Sequence, residues 1–87
     1  MVSQTVTVTN PTGLHARPAS MFVTEAKKFG SKLTVQKGDK AVNGKSIIAL
    51  MSAGISAGTE ITLSLEGEDE RQALDALVAL VKSGFGE

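Results

Sequence analysis

The segment EITLSLEGEDERQALDALVALVK, residues 60–82, decides how the rest of the chain must be assembled. Its first part alternates, with Ile61, Leu63 and Leu65 set against Thr62, Ser64 and Glu66. A period of two makes a strand with one buried face. Its second part changes period: Leu74, Leu77, Val78 and Val81 fall at i, i+3, i+4 and i+7, a single apolar stripe on a helix. Between them Asp69 reads as an N-cap with Gln72 at N3, and the surrounding acids favour a helix N-terminus. Gly84 stops the helix.

Working outward, the N-terminal half repeats both signals. Val2, Val6 and Val8 alternate with Ser3, Thr5, Thr7 and Thr9, so residues 2–9 read as a first strand, broken by NPTG. From Ala16, the residues Ala19, Phe22, Val23, Ala26 and Phe29 recur at helical spacing. Lys27 and Lys28 then occupy the last turn, and Gly30 supplies the stop. Leu33 and Val35 alternate with Lys32, Thr34 and Gln36 in a second strand. KGD, residues 37–39, makes a hairpin turn with Gly38 at positive φ, and residues 40–43 form a third strand. Ser46 starts a short apolar helix, SIIALMSAG, that ends near Gly54.

The order is therefore βαββαβα. Each strand has one apolar face, so the sheet is covered on one side and is antiparallel. The first helix carries the chain back across the sheet, so strands one and two run the same way. An antiparallel sheet needs another strand between them, and the 60–66 strand is the one available. The predicted order is 1-4-2-3, with right-handed crossovers and all three helices on one face. That is an open-faced two-layer α+β sandwich, one domain over residues 1–87.

Composition narrows the function. There are no cysteines, which excludes disulfides and thiolate metal sites and suits a reducing cytoplasm. The N-terminus lacks the pattern of a signal peptide, and no apolar run approaches the roughly 18 residues of a membrane span. Charges balance overall but segregate. Residues 1–45 hold seven basic groups against two acidic ones, and residues 46–87 hold two against seven. With no tyrosine or tryptophan to stack on bases, and no net positive charge, nucleic acid is excluded as a partner. A basic half facing acidic proteins fits better.

The chemistry concentrates in TGLHARPAS, residues 12–20, which holds the only histidine. Pro18 fits only the first turn of a helix, where a missing N–H is no loss. His15 is thereby set at the N-cap, beside the free backbone N–H groups of Ala16 and Arg17, an anion-binding arrangement. The positive dipole end disfavours an imidazolium, so a ring nitrogen keeps its lone pair for nucleophilic attack. Once that nitrogen carries a phosphoryl group, the helix N-terminus and Arg17 both stabilise the new charge. A metal site would need a second His or a Cys. A serine hydrolase would need an acid and an oxyanion pocket, and Ser20 lies beyond the first helical turn from His15. A lone general base would need an enclosed substrate pocket. What remains is a nucleophile on an open surface, with no metal or cofactor required.

GLHARPA, together with the later KSIIALMSAG, resembles HPr, the histidine-containing phosphocarrier of the bacterial phosphotransferase system, over nearly the whole chain. The resemblance implies a phosphoryl carrier and not a stand-alone enzyme. Enzyme I, charged from phosphoenolpyruvate, would phosphorylate His15 on Nδ1. His15 would pass the group to a sugar-specific enzyme IIA for carbohydrate uptake, with Arg17 assisting at the phosphate. Members in many Gram-positive bacteria are phosphorylated by a kinase at the position of Ser46, which is also a natural helix N-cap.

The helix after Ser46 has more apolar surface than a short helix can bury. Leu50 is assigned to the core, and Ile47, Ile48 and Met51 to an exposed patch. The resemblance makes those three the docking surface for enzyme I and enzyme IIA. Ser20, Lys27 and Lys45 complete the docking set, the lysines as a basic rim. The chain is expected to be a cytoplasmic monomer without membrane insertion. Two alternatives stay open: the tail VKSGFGE also resembles the nitrogen-related regulatory branch of the family, and Ser46 phosphorylation can be the main output of a regulatory binding module. A small enzyme using His15 as a base is the least supported reading.

Overall fold

The computed structural model describes all residues from Met1 to Glu87. The elements are β1 (Val2–Thr7), α1 (Ala16–Ala26), β2 (Lys32–Lys37), β3 (Lys40–Asn43), α2 (Ile47–Ser52), β4 (Glu60–Glu66) and α3 (Glu70–Lys82). A single 3₁₀ turn, Gly84–Gly86, follows α3. The four strands form one sheet in the order β1-β4-β2-β3. Every neighbouring pair is antiparallel. Helices α1, α2 and α3 cover one face, giving the α+β open-faced sandwich expected from the βαββαβα order.

β4 and β2 are the interior strands, each paired along both edges. Val6 of β1 stands opposite Ile61, while Leu33 and Val35 of β2 stand opposite Leu65 and Leu63. These residues and the stripe Leu74, Leu77, Val78 and Val81 of α3 are all buried. From α1 come Ala19, Phe22, Val23 and Ala26, and Phe22 is fully buried. Burying a side chain of this size contributes roughly 1.5–3 kcal/mol. The outward face carries Thr5, Thr62 and Thr34, and the hydroxyls of Thr5 and Thr62 are 2.9 Å apart. The Lys37–Lys40 pairing closes the β2–β3 hairpin over Gly38, which has φ 59°.

Two expected element ends are corrected. β1 ends at Thr7, not at residue 9. Val8 leaves the ladder but still donates to the Thr59 carbonyl (2.9 Å) and accepts from Gly58 N–H (2.7 Å), and it is buried. α1 ends at Ala26, and Gly30 does not stop it. Instead Lys28 N–H bonds to Glu25 O (3.1 Å) and Phe29 N–H to Ala26 O (3.2 Å), a tightened final turn that lies beyond the helix proper. Lys27 and Lys28 fall in that turn.

Asp69 is the N-cap residue of α3, as expected, and its carbonyl accepts Ala73 N–H at 2.9 Å, but its carboxylate makes no capping bond to the helix. It faces the loop after α1, accepting from Gly30 N–H (2.9 Å), Ser31 N–H (3.0 Å) and the Ser31 hydroxyl. These donors, the Ser31 hydroxyl first, hold the Asp69 acid below its ordinary range. The two loops touch at Gly67, where a Cβ would lie 2.8 Å from Ser31 Cα. Glu70 takes over near the start of α3, accepting from Gly67 N–H at 3.1 Å. Gln72 is exposed and has no capping bond. Gly84, at φ 74°, follows the Ser83 C-cap as expected.

Candidate functional site

The loop before α1 is pinned on both sides. Leu14 is buried and donates its N–H to Ile55 O at 2.9 Å. Gly13, at φ 65°, lies so close to Ile55 and Ser56 that an added Cβ would fall 2.6 Å from Ser56 Cα and overlap the Ile55 carbonyl. Asn10 is buried, and its Nδ2 donates to Gly13 O at 2.8 Å. The chain thus leaves a fixed anchor one residue before His15.

His15 is the N-cap of α1, with φ −81° and ψ −167°. Its carbonyl accepts Ala19 N–H at 2.8 Å, the first helical bond. Its ring is exposed and makes no hydrogen bond within the chain. Ala16 and Arg17 are exposed, and their N–H groups have no intramolecular acceptor. Pro18, buried in the first turn, brings no N–H of its own. An anion seated beside the imidazole therefore meets two free backbone donors and the positive end of a helix.

The residues that sequence reasoning missed are in the tail. Phe85 is fully buried although it follows the helix stop, and it adopts φ 55°, a left-handed conformation rare for a bulky residue. Burial of its ring holds the tail against the body and directs its carbonyl at Arg17, whose Nη1 donates to it at 3.3 Å. The Glu87 carboxylate accepts from the Thr12 hydroxyl (2.9 Å), Asn10 Nδ2 (3.2 Å) and Thr12 N–H (3.3 Å). It also lies 3.8 Å from Arg17 Nη1. The Thr12 hydroxyl and then the Asn10 amide hold the Glu87 acid below its ordinary range. The tail therefore meets the His15 loop and Arg17 at once. The one signal in the sequence was a large apolar residue between two glycines, too slight to place it.

The second region is α2. Ser46 is its N-cap and accepts Ala49 N–H at 3.2 Å. Leu50 is fully buried, whereas Ile47, Ile48 and Met51 are 39%, 79% and 40% exposed. α1 and α2 pack together, so His15 and this apolar patch share one helical layer. Ser20 and Lys27 are exposed on and just after α1. Lys45 is less free than a rim lysine: it is half-buried, and its Nζ donates to Phe29 O at 2.7 Å. The two open depressions in the surface lie at the β2–β3 face and beside Gly30 and Gly67, and neither touches His15.

Residues 2–83 match the family model described as the PTS HPr component phosphorylation site. The chain belongs to the HPr family. HPr relatives span it almost completely. The HPr-like protein Crh of Bacillus subtilis (strain 168) is 52% identical over 82 residues, covering 94% of this chain and 96% of that one. Phosphocarrier protein HPr of Haemophilus influenzae is 46% identical over 81 residues, covering 93% and 95%. The crystal structure of HPr-C-His from Thermoanaerobacter tengcongensis superposes with a TM-score of 0.97 at 52% identity, over 100% of this chain and 98% of that one. A structure of the HPr dimer from the same organism superposes at 0.80, with 52% identity and full coverage of both chains. The HPr family is a family of phosphocarriers of sugar transport and not of classical enzymes. No helix here is long and apolar enough to cross a membrane.

Proposed function

We propose that this HPr-family chain carries a phosphoryl group on His15 between two proteins of the phosphotransferase system, enzyme I and a sugar-specific enzyme IIA. The observation that carries the reading is the exposed imidazole at the N-cap of α1, next to two unpaired N–H groups. In the first step a neutral ring nitrogen, Nδ1 by family resemblance, attacks the phosphorus of phospho-enzyme I. The N–P bond on the donor histidine breaks as the new one forms, and the donor nitrogen keeps the electron pair. The second step repeats this exchange with His15 as the leaving nitrogen. No metal or cofactor is required, because positioning and fixed positive dipoles supply the stabilisation.

Arg17 is the charged partner of the phosphate. In the unphosphorylated chain its guanidinium donates to the Phe85 carbonyl at 3.3 Å and lies 3.8 Å from the Glu87 carboxylate. A phosphoryl group at His15 is a dianionic competitor and draws the guanidinium away. Ile47, Ile48 and Met51 form the docking patch for both partners, with Ser20 beside it. Lys27 and the shorter-reaching Lys45 add positive charge at its margin. The domain spans residues 1–87 and works as a monomer in the cytoplasm.

Regulation at Ser46 by an ATP-dependent kinase is the second reading, favoured by the place of Ser46 at the N-cap of α2 beside the exposed Ile47 and Ile48. A phosphate there sits at the N-terminus of α2, which it does not melt, and sets charge beside the docking patch. Incubation with phosphoenolpyruvate and enzyme I separates the readings. His15 phosphorylation gives an acid-labile, alkali-stable product that His15→Ala abolishes. Output through Ser46 gives an acid-stable phosphoserine with ATP and kinase, and regulatory activity that survives His15→Ala.

A further inference from the structure

Helix α2 is only six residues long, Ile47–Ser52, and buries only Leu50. Two turns with one core anchor do not hold themselves, since short isolated helices are marginal even in favourable sequences. Its N-terminal end has the Ser46 cap. Its C-terminal end has no basic residue of its own in the last turn. The cation comes from elsewhere in the sequence. Lys37, the last residue of β2, sends its half-buried side chain across to the end of α2, where Nζ donates to Ala53 O (3.1 Å) and Gly54 O (2.8 Å).

We infer that Lys37 is a positioning residue for partner docking, holding α2 at the angle that presents Ile47, Ile48 and Met51. This rests on the reading of that patch as the docking surface. The physical ground is twofold. An ammonium on free carbonyls at a helix C-terminus makes charge-assisted hydrogen bonds and complements the dipole. The tie also joins the end of β2 to the far end of α2, beyond the packing of α2 against β3. Lys37 lies 17 residues from Gly54 in sequence, so removing it loosens α2 without touching the patch side chains.

The test uses the full chain with Lys37→Met, Lys37→Arg and Ile48→Ala. Amide hydrogen exchange is read at α2 and at β4, and the kinetics of phosphorylation by phospho-enzyme I are read in parallel. In Lys37→Met, α2 amides exchange about 3- to 5-fold faster while β4 amides are unchanged, the scale of one lost helix-end interaction. KM for the carrier rises by a similar factor and kcat does not change, because His15 is untouched. Lys37→Arg, which keeps charge and donors, restores KM to within about 2-fold. Should Ile48→Ala raise KM while Lys37→Met leaves it unchanged, the inference is overturned and the docking reading stands. An unchanged KM in Ile48→Ala overturns the docking reading itself. Failure of Lys37→Arg to restore KM also overturns the positioning role, as does uniform loss of protection across α2 and β4.

Discussion

Gly13→Ala tests whether the anchor before His15 depends on close backbone approach. Two terms contribute. The first is conformational: at φ 65° an L residue is left-handed, costing roughly 1–2 kcal/mol. The second is steric: the added Cβ overlaps the Ile55 carbonyl and sits 2.6 Å from Ser56 Cα, all backbone that cannot rotate away. Displacing packed backbone adds roughly 1–3 kcal/mol, the range for overpacking. Gly38→Ala isolates the first term, because Gly38 has φ 59° and nothing within 4 Å of its Cβ position. Gly38→Ala should therefore lower stability by about 1 kcal/mol and Gly13→Ala by about 3 kcal/mol. In a thermal melt of a domain this size, these are shifts of about 4–8 °C and about 12–24 °C. Phosphorylation of Gly13→Ala by enzyme I, measured at a temperature where it is folded, should also slow as His15 moves. Equal melting temperatures for the two variants would refute the close-approach argument.

The other predictions concern the ends of the helices and the acid clamps. Asp69 and Glu87 are both held low by hydrogen bonds in the folded chain. A lowered acid adds stability that is present above the unfolded value of about 4 and lost as pH falls through the lower folded value. Urea titrations from pH 5 down to 2.5 should show stability declining, and Asp69→Asn should flatten that decline; an unchanged slope removes the clamp from the account. Ser46→Ala loses the α2 N-cap and should cost about 1 kcal/mol in denaturant unfolding, and a change under 0.3 kcal/mol would contradict the capping role. Leu50→Ala should cost about 2–5 kcal/mol, whereas Ile48→Ala should change stability by less than about 0.5 kcal/mol. Comparable losses in these two would contradict the division of α2 into a core side and a docking side.

Sheet order was legible because it follows from local periodicity and one topological requirement. Ile61, Leu63 and Leu65 mark a strand whose partners on both sides must run the opposite way, and β4 does pair with both β1 and β2. His15 at its helix N-cap was legible for a similar reason: Pro18 restricts where a helix can begin. Asp69 is the N-cap residue that the sequence marks, but its carboxylate turns to Gly30 and Ser31, 39 and 38 residues away in sequence, a contact that no local pattern shows. Gly30 was misread for the matching reason, since its N–H is engaged by Asp69 and the helix had already tightened to its end. The Glu87–Thr12–Asn10 contacts were invisible because they join the two ends of the chain and depend on a buried Phe85 with an unusual backbone. Long-range polar contacts leave no periodic trace in a sequence.

The central claim is that one imidazole at one helix N-cap takes up the phosphoryl group. Its most direct measurement is the site and chemistry of the label after incubation with phosphoenolpyruvate and enzyme I. Fragmentation mapping should place one phosphoryl group per chain on His15, labile in acid and stable in alkali, and His15→Ala should carry none. A label that persists in His15→Ala, or that survives acid and maps to Ser46, would contradict the account.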